Sequence, residues 1–227
     1  NSTFNNPFPM KEWTYFNSEG FQGGNFVCNG TDSLIIVSNY EREVILQKNE
    51  EELKKYFNLD IVIIIPRPPN RIAHADIVCC WIDETHLIVN DYKCINHDFE
   101  QEYAIILDLA LAPLISRGVQ IEYIPYNPIW NRETIPNSNL MTIGLLDVSG
   151  LYNQCIVTQS AIYLPQYSND LQNFDKNILN FFNNKFGHLK MIIGIDMSTR
   201  EVKYGGGSLH CMSTQLYGNP ADILIKH

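Results

Sequence analysis

Long apolar segments, an excess of positive charge and closely spaced cysteines are all lacking in this sequence of 227 residues. The longest apolar stretches, Ile61–Pro66 and Ile105–Ile115, are shorter than the roughly 20 residues that cross a bilayer. No membrane span is therefore expected. The polar segment Asn1–Pro9 does not have the basic-then-apolar pattern of a signal peptide. The compartment, cytoplasmic or secreted, stays open.

Acidic residues dominate the charge, and the formal net charge is −9. Nucleic-acid backbones are bound by clustered Lys and Arg, so no nucleic-acid partner is expected. The acidic balance suits a cationic substrate. Hydrophobic residues make up 45% of the chain and charged residues 18%, which predicts a globular protein, and the length fits one domain over residues 1–227. Association into a homo-oligomer is an open alternative.

The cysteines are spread out rather than arranged as a disulfide scaffold. Five are predicted to be small buried hydrophobic residues, and one is predicted to be reactive. The six are Cys28, Cys79, Cys80, Cys94, Cys155 and Cys211. His86, Cys94 and His97 lie close together in the sequence and are possible metal ligands, but no fourth ligand is evident. Neither a metal nor a cofactor is therefore predicted.

Apolar runs and turn residues repeat three times in the order strand, strand, helix, strand. The predicted strands are Asn25–Cys28, Ser33–Ser38, Asp60–Pro66, Asp76–Ile82, His86–Val89, Val119–Ile124, Leu151–Thr158, Ala161–Pro165, Lys190–Ile195 and Val202–Thr214. The predicted helices span about Asn49–Phe57, Phe99–Ser116 and Asp170–Phe186. This repetition predicts an α/β fold of repeated units. The pattern alone leaves open whether the units form a flat sheet or a ring.

A glycine run leads directly to one cysteine near the end of the sequence. Gly205, Gly206 and Gly207 allow a tight turn and close approach of a ligand, and Cys211 follows a histidine. A thiol becomes a nucleophile only when its surroundings favour the thiolate. A reactive Cys211 and a buried cysteine after a glycine-rich turn are both compatible with this pattern.

His74 and Asp76 form a second polar group, just before an apolar run. Two residues apart on a strand, their side chains would point to the same face and place an imidazole beside a carboxylate. Such a pair suits acid–base chemistry. A structural hydrogen bond at the start of a strand is the alternative.

Four segments, in the same order, resemble motifs of the agmatine deiminases and the Porphyromonas-type peptidyl-arginine deiminases. Gly205–Cys211 is similar to their closing motif, in which the Cys after Gly-Gly-Gly-x-x-His is the nucleophile. The His74 and Asp76 pair resembles their internal His-x-Asp motif. Phe21–Phe26 resembles their Glu-Gly-Gly-Asn strand, and Tyr152–Gln154 resembles their Tyr-x-Asn-Ser segment.

The resemblance implies the pentein fold, an α/β propeller of five ββαβ-type units around a narrow channel. About three units are visible here, and the N-terminal units of the family have no counterpart in this sequence. Those units include an Asp that grips the guanidinium group, and Glu19 is a candidate replacement for it. We therefore expect the C-terminal part of a usual family member, forming a single catalytic domain.

The resemblance also implies hydrolysis of a guanidinium group through a Cys thiouronium intermediate, with release of ammonia. The substrate would resemble agmatine, arginine or peptidyl-arginine. Cys211 would be the nucleophile, His74 the general acid and then base, and Asp76 a carboxylate that holds the planar cation. The substrate-binding residues that the resemblance implies are Asn153, Gly24, Asn25 and Gly207.

Two other functions stay open on the sequence. An amidinotransferase-like enzyme of the same fold would use the same cysteine with an amine in place of water. A non-catalytic binding module would retain only the fold. Gln22, where agmatine deiminases usually have Glu, offers no charge to an amine tail and therefore argues against strict use of agmatine.

Overall fold

The computed structural model describes residues 23–37, 50–66, 68, 74–94, 98–125, 151–197 and 208–210. The chain divides into two compact units, Asn1–Asn127 and Pro128–His227. Among the helices in the described ranges, none is long and apolar enough to cross a membrane. The organisation of residues 1–227 as a single domain remains a prediction.

The first repeat in unit 1 is a hairpin followed by a helix and a parallel strand. Strand β1 (Val27–Cys28) is antiparallel to β2 (Ser33–Val37). Helix α1 (Glu50–Phe57) then leads to β3 (Ile61–Ile65), which is parallel to β2. The turn in the hairpin contains Gly30, whose φ of 86° is readily adopted by glycine. The predicted Asn-Gly hairpin is therefore confirmed.

The second repeat, also in unit 1, has the same order of elements. Strand β4 (Cys79–Trp81) is antiparallel to β5 (His86–Asp91). Helix α2 (Asp98–Ser116) follows, and β6 (Gln120–Pro125) is parallel to β5. Gly118 lies just after the helix with a φ of 86°, as expected of a glycine that ends a helix.

The third repeat lies in unit 2. Strand β7 (Ile156–Val157) is antiparallel to β8 (Ala161–Gln166). Helix α3 (Ser168–Phe186) and the strand β9 (Met191–Asp196), parallel to β8, complete it. Each helix connects two parallel strands, because such strands need a long crossover between their ends. The predicted mixed α/β architecture of three strand–strand–helix–strand units is confirmed.

A continuous apolar strand explains how the first repeat packs. In the first repeat, β2 is buried along its whole length, and α1 places Leu53 and Phe57 against it. Leu34, Ile36 and Val62 complete this cluster of buried side chains. The short α1 has acidic residues at its start and lysines in its last turn, which suits the helix dipole.

Three predicted strands begin two or more residues later than the sequence pattern indicated. The predicted strand Asp76–Ile82 starts only at Cys79, because Ala75–Ile77 forms a 3₁₀-helix. Asn25, predicted to begin a strand, ends another 3₁₀-helix, Gly23–Asn25. In unit 2 only Ile156–Val157 of the predicted strand Leu151–Thr158 is a strand. The hydrophobic periodicity of a sequence does not reveal hydrogen bonds from side chains to the backbone. Such bonds can compete with strand pairing.

The five cysteines in the described ranges differ in burial. Cys79 and Cys155 are buried, as predicted, and Cys80 is half-buried. Cys28 and Cys94 are exposed, so their predicted role as buried hydrophobic residues is wrong. The long loop predicted after Pro125 and the predicted strand Val202–Thr214 lie largely outside the described residues.

Candidate active site

His74 and Asp76 converge on the backbone of Gly24. A Cβ atom added to Gly24 would lie 2.8 Å from Nδ1 of His74 and 2.8 Å from Oδ2 of Asp76. Two atoms that are equally close to one point can be no more than twice that distance apart. Nδ1 of His74 and Oδ2 of Asp76 are therefore within twice 2.8 Å of each other, and both border the one residue type that leaves room for them.

The pair is close for a reason that differs from the predicted one. His74 is extended, with φ −115° and ψ 146°, but Asp76 lies inside the 3₁₀-helix Ala75–Ile77 rather than on a strand. The amide of Val78 donates to the carbonyl of Ala75 at 2.9 Å, which closes this tight turn. The prediction that both side chains share one strand face is therefore wrong.

Asn25 connects this turn to the end of β2. Its side chain is 2% exposed, and Oδ1 accepts hydrogen bonds from the amides of Val37 at 2.8 Å and Ala75 at 3.2 Å. Nδ2 donates to the carbonyl of Val37 at 3.1 Å. Both polar atoms of the carboxamide therefore bind backbone groups of the protein.

Asn90, near the end of β5, binds the other end of the same turn. Its Nδ2 donates to the carbonyl of Ile77 at 2.5 Å, and its backbone amide donates to the carbonyl of Val78 at 3.0 Å. The side chain is 1% exposed. The short helix that carries Asp76 is thus fixed at both ends by buried asparagines.

Cys79 lies close to this pair but is not suited to be a nucleophile. Its side chain is fully buried, and Sγ lies 3.6 Å from the carbonyl oxygen of Ala75. Burial raises the pKa of its thiol well above the usual range, with smaller contributions from Cys80 and Asp76. A thiol with a raised pKa is protonated and unreactive at neutral pH.

In unit 2, Asn153 lies in a buried turn between Leu151 and Cys155. Asn153 and Gln154 are each 1% exposed. The amide of Gln154 donates to the carbonyl of Leu151 at 3.2 Å, which closes the turn. The amide of His210 donates to the carbonyl of Gln154 at 3.1 Å. The segment that directly precedes Cys211 in the sequence is therefore attached to the turn that contains Asn153.

A second attachment of that segment is made by Tyr167, which the sequence analysis did not single out. The hydroxyl of Tyr167 lies 2.7 Å from Oγ of Ser208, and both residues are buried. Asp175 on α3 accepts hydrogen bonds from the amide of Tyr167 at 2.9 Å and from the hydroxyl of Tyr152 at 2.6 Å. An isolated Tyr or Ser in a sequence gives no sign of such pairing.

The predicted site residues fall into three groups. His74, Asp76 and Gly24 are in contact in unit 1, and Asn25 lies beside them. Asn153 occupies the turn of unit 2 to which His210 is bound. Cys211 and Gly207 lie outside the described residues. The catalytic and binding roles of all these residues remain predictions.

Within the described ranges, no group of three His, Cys, Asp or Glu residues is arranged to hold a metal ion. His86 pairs instead with Asp83, its Nδ1 lying 2.9 Å from the carboxylate. Sγ of Cys94 lies 3.1 Å from Oδ2 of Asp91. His97 lies outside the described residues.

Comparison with known families identifies the chain. A family model of the Porphyromonas-type peptidyl-arginine deiminases matches residues 11–216, which is most of the sequence. The chain belongs to this family. Members of the family are deiminases, which hydrolyse C–N bonds of amidine groups. The resemblance noted from the four sequence motifs is confirmed.

Solved structures with the same fold have low sequence identity to this chain. An agmatine deiminase of C. jejuni, solved with substrate bound, is 21% identical with a TM-score of 0.57, over 83% of this chain and 54% of its own. An agmatine deiminase of Enterococcus faecalis is 22% identical with a TM-score of 0.58, and the match covers 83% of this chain and 55% of that protein. A Porphyromonas gingivalis protein provisionally assigned as an arginine deiminase is 16% identical with a TM-score of 0.61. That match covers 86% of this chain and 56% of the other protein.

These matches establish the fold of the chain. Its mixed α/β repeats are those of pentein-type deiminases, and the predicted fold class is confirmed. The chain spans about half the length of the solved relatives it matches. The closed propeller of five units remains a prediction.

Proposed function

We propose that this protein is a deiminase that hydrolyses the guanidinium group of a small molecule or an arginyl peptide. Membership of the deiminase family supports this proposal. The single structural observation that carries it is the convergence of His74 and Asp76 on Gly24. An imidazole and a carboxylate side by side can bind a planar cation and move its protons.

The proposed chemistry begins at Cys211, the cysteine of the glycine-rich motif. Its thiolate attacks the guanidinium carbon, and a C–S bond forms. His74 donates a proton to one nitrogen, whose bond to carbon breaks as ammonia leaves. Asp76 holds the remaining nitrogens by charge-assisted hydrogen bonds. These steps leave a thiouronium group on the cysteine.

Water completes the reaction in this proposal. His74, now neutral, removes a proton from water as the oxygen attacks the thiouronium carbon. The C–S bond breaks, Cys211 leaves as the thiolate, and the product is a ureido group. The remaining proton of the added oxygen passes to the released ammonia. One water is therefore consumed and one ammonium ion is released, so atoms and charge balance. Asn153, Gly24 and Gly207 are proposed to bind the substrate, as the family resemblance implies.

The test is turnover of guanidinium substrates by the purified chain. Ammonia and ureido product are measured with agmatine, free arginine and an arginyl peptide, in wild type, Cys211→Ser and His74→Gln. We expect both variants to lose at least about 1,000-fold in turnover, because nucleophile and acid–base groups act as a unit. The matched control is Cys94→Ser, which removes an exposed thiol and should leave turnover unchanged.

A second measurement addresses the nucleophile directly. Labelling with a haloacetamidine at mildly acidic pH should modify Cys211 selectively, because only a thiolate reacts rapidly under those conditions. Turnover that persists in Cys211→Ser, or labelling of Cys94 in preference to Cys211, would contradict the proposed mechanism.

A further inference from the structure

We infer that Asn25 is a positioning residue, which holds the His74 and Asp76 side chains in place through the backbone between them. Its contacts place it in this role rather than in contact with substrate. The inference rests on the proposed function only in assigning a catalytic use to the pair.

The contacts of Asn25 account for both polar atoms of its carboxamide. Oδ1 accepts from the amides of Val37 and Ala75, and Nδ2 donates to the carbonyl of Val37. The side chain is 2% exposed, so water does not satisfy these groups in its place. A buried carboxamide that is already bound to backbone has little capacity left for a ligand.

The position of Ala75 explains why this contact matters for the site. Ala75 lies between His74 and Asp76 in the sequence, and it begins the short helix that carries Asp76. A displacement of its amide therefore moves both side chains together. Asn25 reaches this amide across 50 positions of sequence and joins it to the end of β2.

The neighbouring Gly24 also helps to position the side chains of His74 and Asp76. Because Gly24 directly precedes Asn25, the backbone that carries the tether also forms the surface against which His74 and Asp76 pack. Asparagine suits the position because it both accepts and donates. Aspartate keeps only the acceptors, and glutamine is longer by one methylene group.

Asn29 provides a matched control four positions further along. Its Oδ1 accepts from the amides of Thr31, Asp32 and Ser33, so it too binds several backbone groups. These contacts all lie within the hairpin turn and none involves His74, Ala75 or Asp76. Loss of the Asn29 side chain should weaken the fold without moving the pair.

The experiment compares Asn25→Ala with Asn29→Ala by NMR of the isotope-labelled chain. In Asn25→Ala we expect the amide hydrogen of Ala75 to exchange with solvent at least about tenfold faster than in wild type. The ring signals of His74, assigned with His74→Gln, should shift at the same time. Both signals should match wild type in Asn29→Ala. The inference is overturned if His74 signals are the same in the two variants.

Asn25→Asp keeps the inference testable if Asn25→Ala does not fold. The carboxylate retains both acceptor contacts, so the amide of Ala75 should stay protected from hydrogen exchange. A freely exchanging Ala75 amide with His74 signals at wild-type positions would contradict the tether. A wild-type chain without turnover, in which Asn25→Ala still shifts the His74 signals, supports the tether and contradicts only the proposed function.

Discussion

At the scale of single residues, the candidate site depends on a side chain that is absent. Gly24 has its nearest neighbours in the side chains of His74 and Asp76, and any Cβ there would overlap both. These neighbours are side-chain atoms rather than backbone, so they would be displaced while the fold is retained. The glycine therefore serves the geometry of the pair more than the stability of the chain.

Gly24→Ala should reduce guanidinium turnover by about 100-fold, since a misplacement of about 1 Å at catalytic groups costs that much. Circular dichroism should show the wild-type fold. The matched control is Gly194→Ala, whose Cβ would lie 3.1 Å from the flexible side chain of Gln166. Unchanged turnover in Gly24→Ala would show that the pair tolerates displacement or is not catalytic.

At the scale of elements, the turn of unit 2 is held by polar contacts from distant parts of its chain. Tyr167, before α3, reaches Ser208, and Asp175 within α3 reaches Tyr152. The rings of Tyr152 and Tyr167 also pack edge to face at 5.5 Å. These contacts fix the segment 208–210 against the turn that contains Asn153.

Tyr167→Phe removes one hydroxyl from this arrangement and keeps the ring. Because the hydroxyl of Ser208 is then buried without its tyrosine partner, we expect a loss of about 1–3 kcal/mol in the free energy of unfolding, measured by denaturant titration. Ser208→Ala in the Tyr167→Phe background should cost less than Ser208→Ala alone. Fully additive effects would contradict the pairing of the two hydroxyls.

Helix α2 shows why the sequence predicts an element more easily than its orientation. Leu107 and Leu111 are buried, whereas Leu109 is 71% exposed and Ile105 61% exposed. All four are apolar, so the helix has no clear polar face in its sequence. Its extent was predicted to within one residue at the N-terminus, but its buried side follows from packing.

Leu111→Ala should therefore lower the free energy of unfolding by about 2–5 kcal/mol, because it leaves a cavity in the core. Leu109→Ala, the same change two positions earlier, should alter it by less than about 0.5 kcal/mol. Denaturant titration of both variants measures the difference. Equal losses would contradict the buried side assigned to α2.

At the scale of the whole molecule, the phenols of the buried Tyr152 and the half-buried Tyr123 link folding to alkaline pH. Burial, and then the hydrogen bond to Asp175, raises the pKa of Tyr152. Burial and Asp108 likewise raise the pKa of Tyr123. Unfolded tyrosine ionises near pH 10. The stabilising contribution of each group is fully present below about pH 10 and is lost as the pH rises towards the higher folded-state pKa.

The free energy of unfolding should therefore decline above about pH 10, by at most about 1.4 kcal/mol per pH unit for each of these tyrosines. Denaturant titrations between pH 8 and 11 measure the slope. Tyr152→Phe should be less stable at pH 8 and should decline less steeply above pH 10. A variant with the wild-type slope would show that Tyr152 ionises similarly in both states.

The sequence by itself determined the three strand–strand–helix–strand repeats and the family. Hydrophobic periodicity, the Asn29-Gly30 turn and Gly118 after α2 act between neighbours in the chain, so they can be interpreted without coordinates. The short motifs were sufficient to place the chain among the deiminases, which the match over residues 11–216 confirmed.

Only the tertiary structure decided how the candidate site is assembled. The tether from Asn25 to Ala75 spans 50 positions, and the contact of Tyr167 with Ser208 spans 41. Such contacts depend on the packing of whole repeats, and no local pattern encodes them. A 3₁₀-helix stands where a strand was predicted at Asp76, and the amide of Ala75 at its start is bound by the buried side chain of Asn25 rather than by a strand partner.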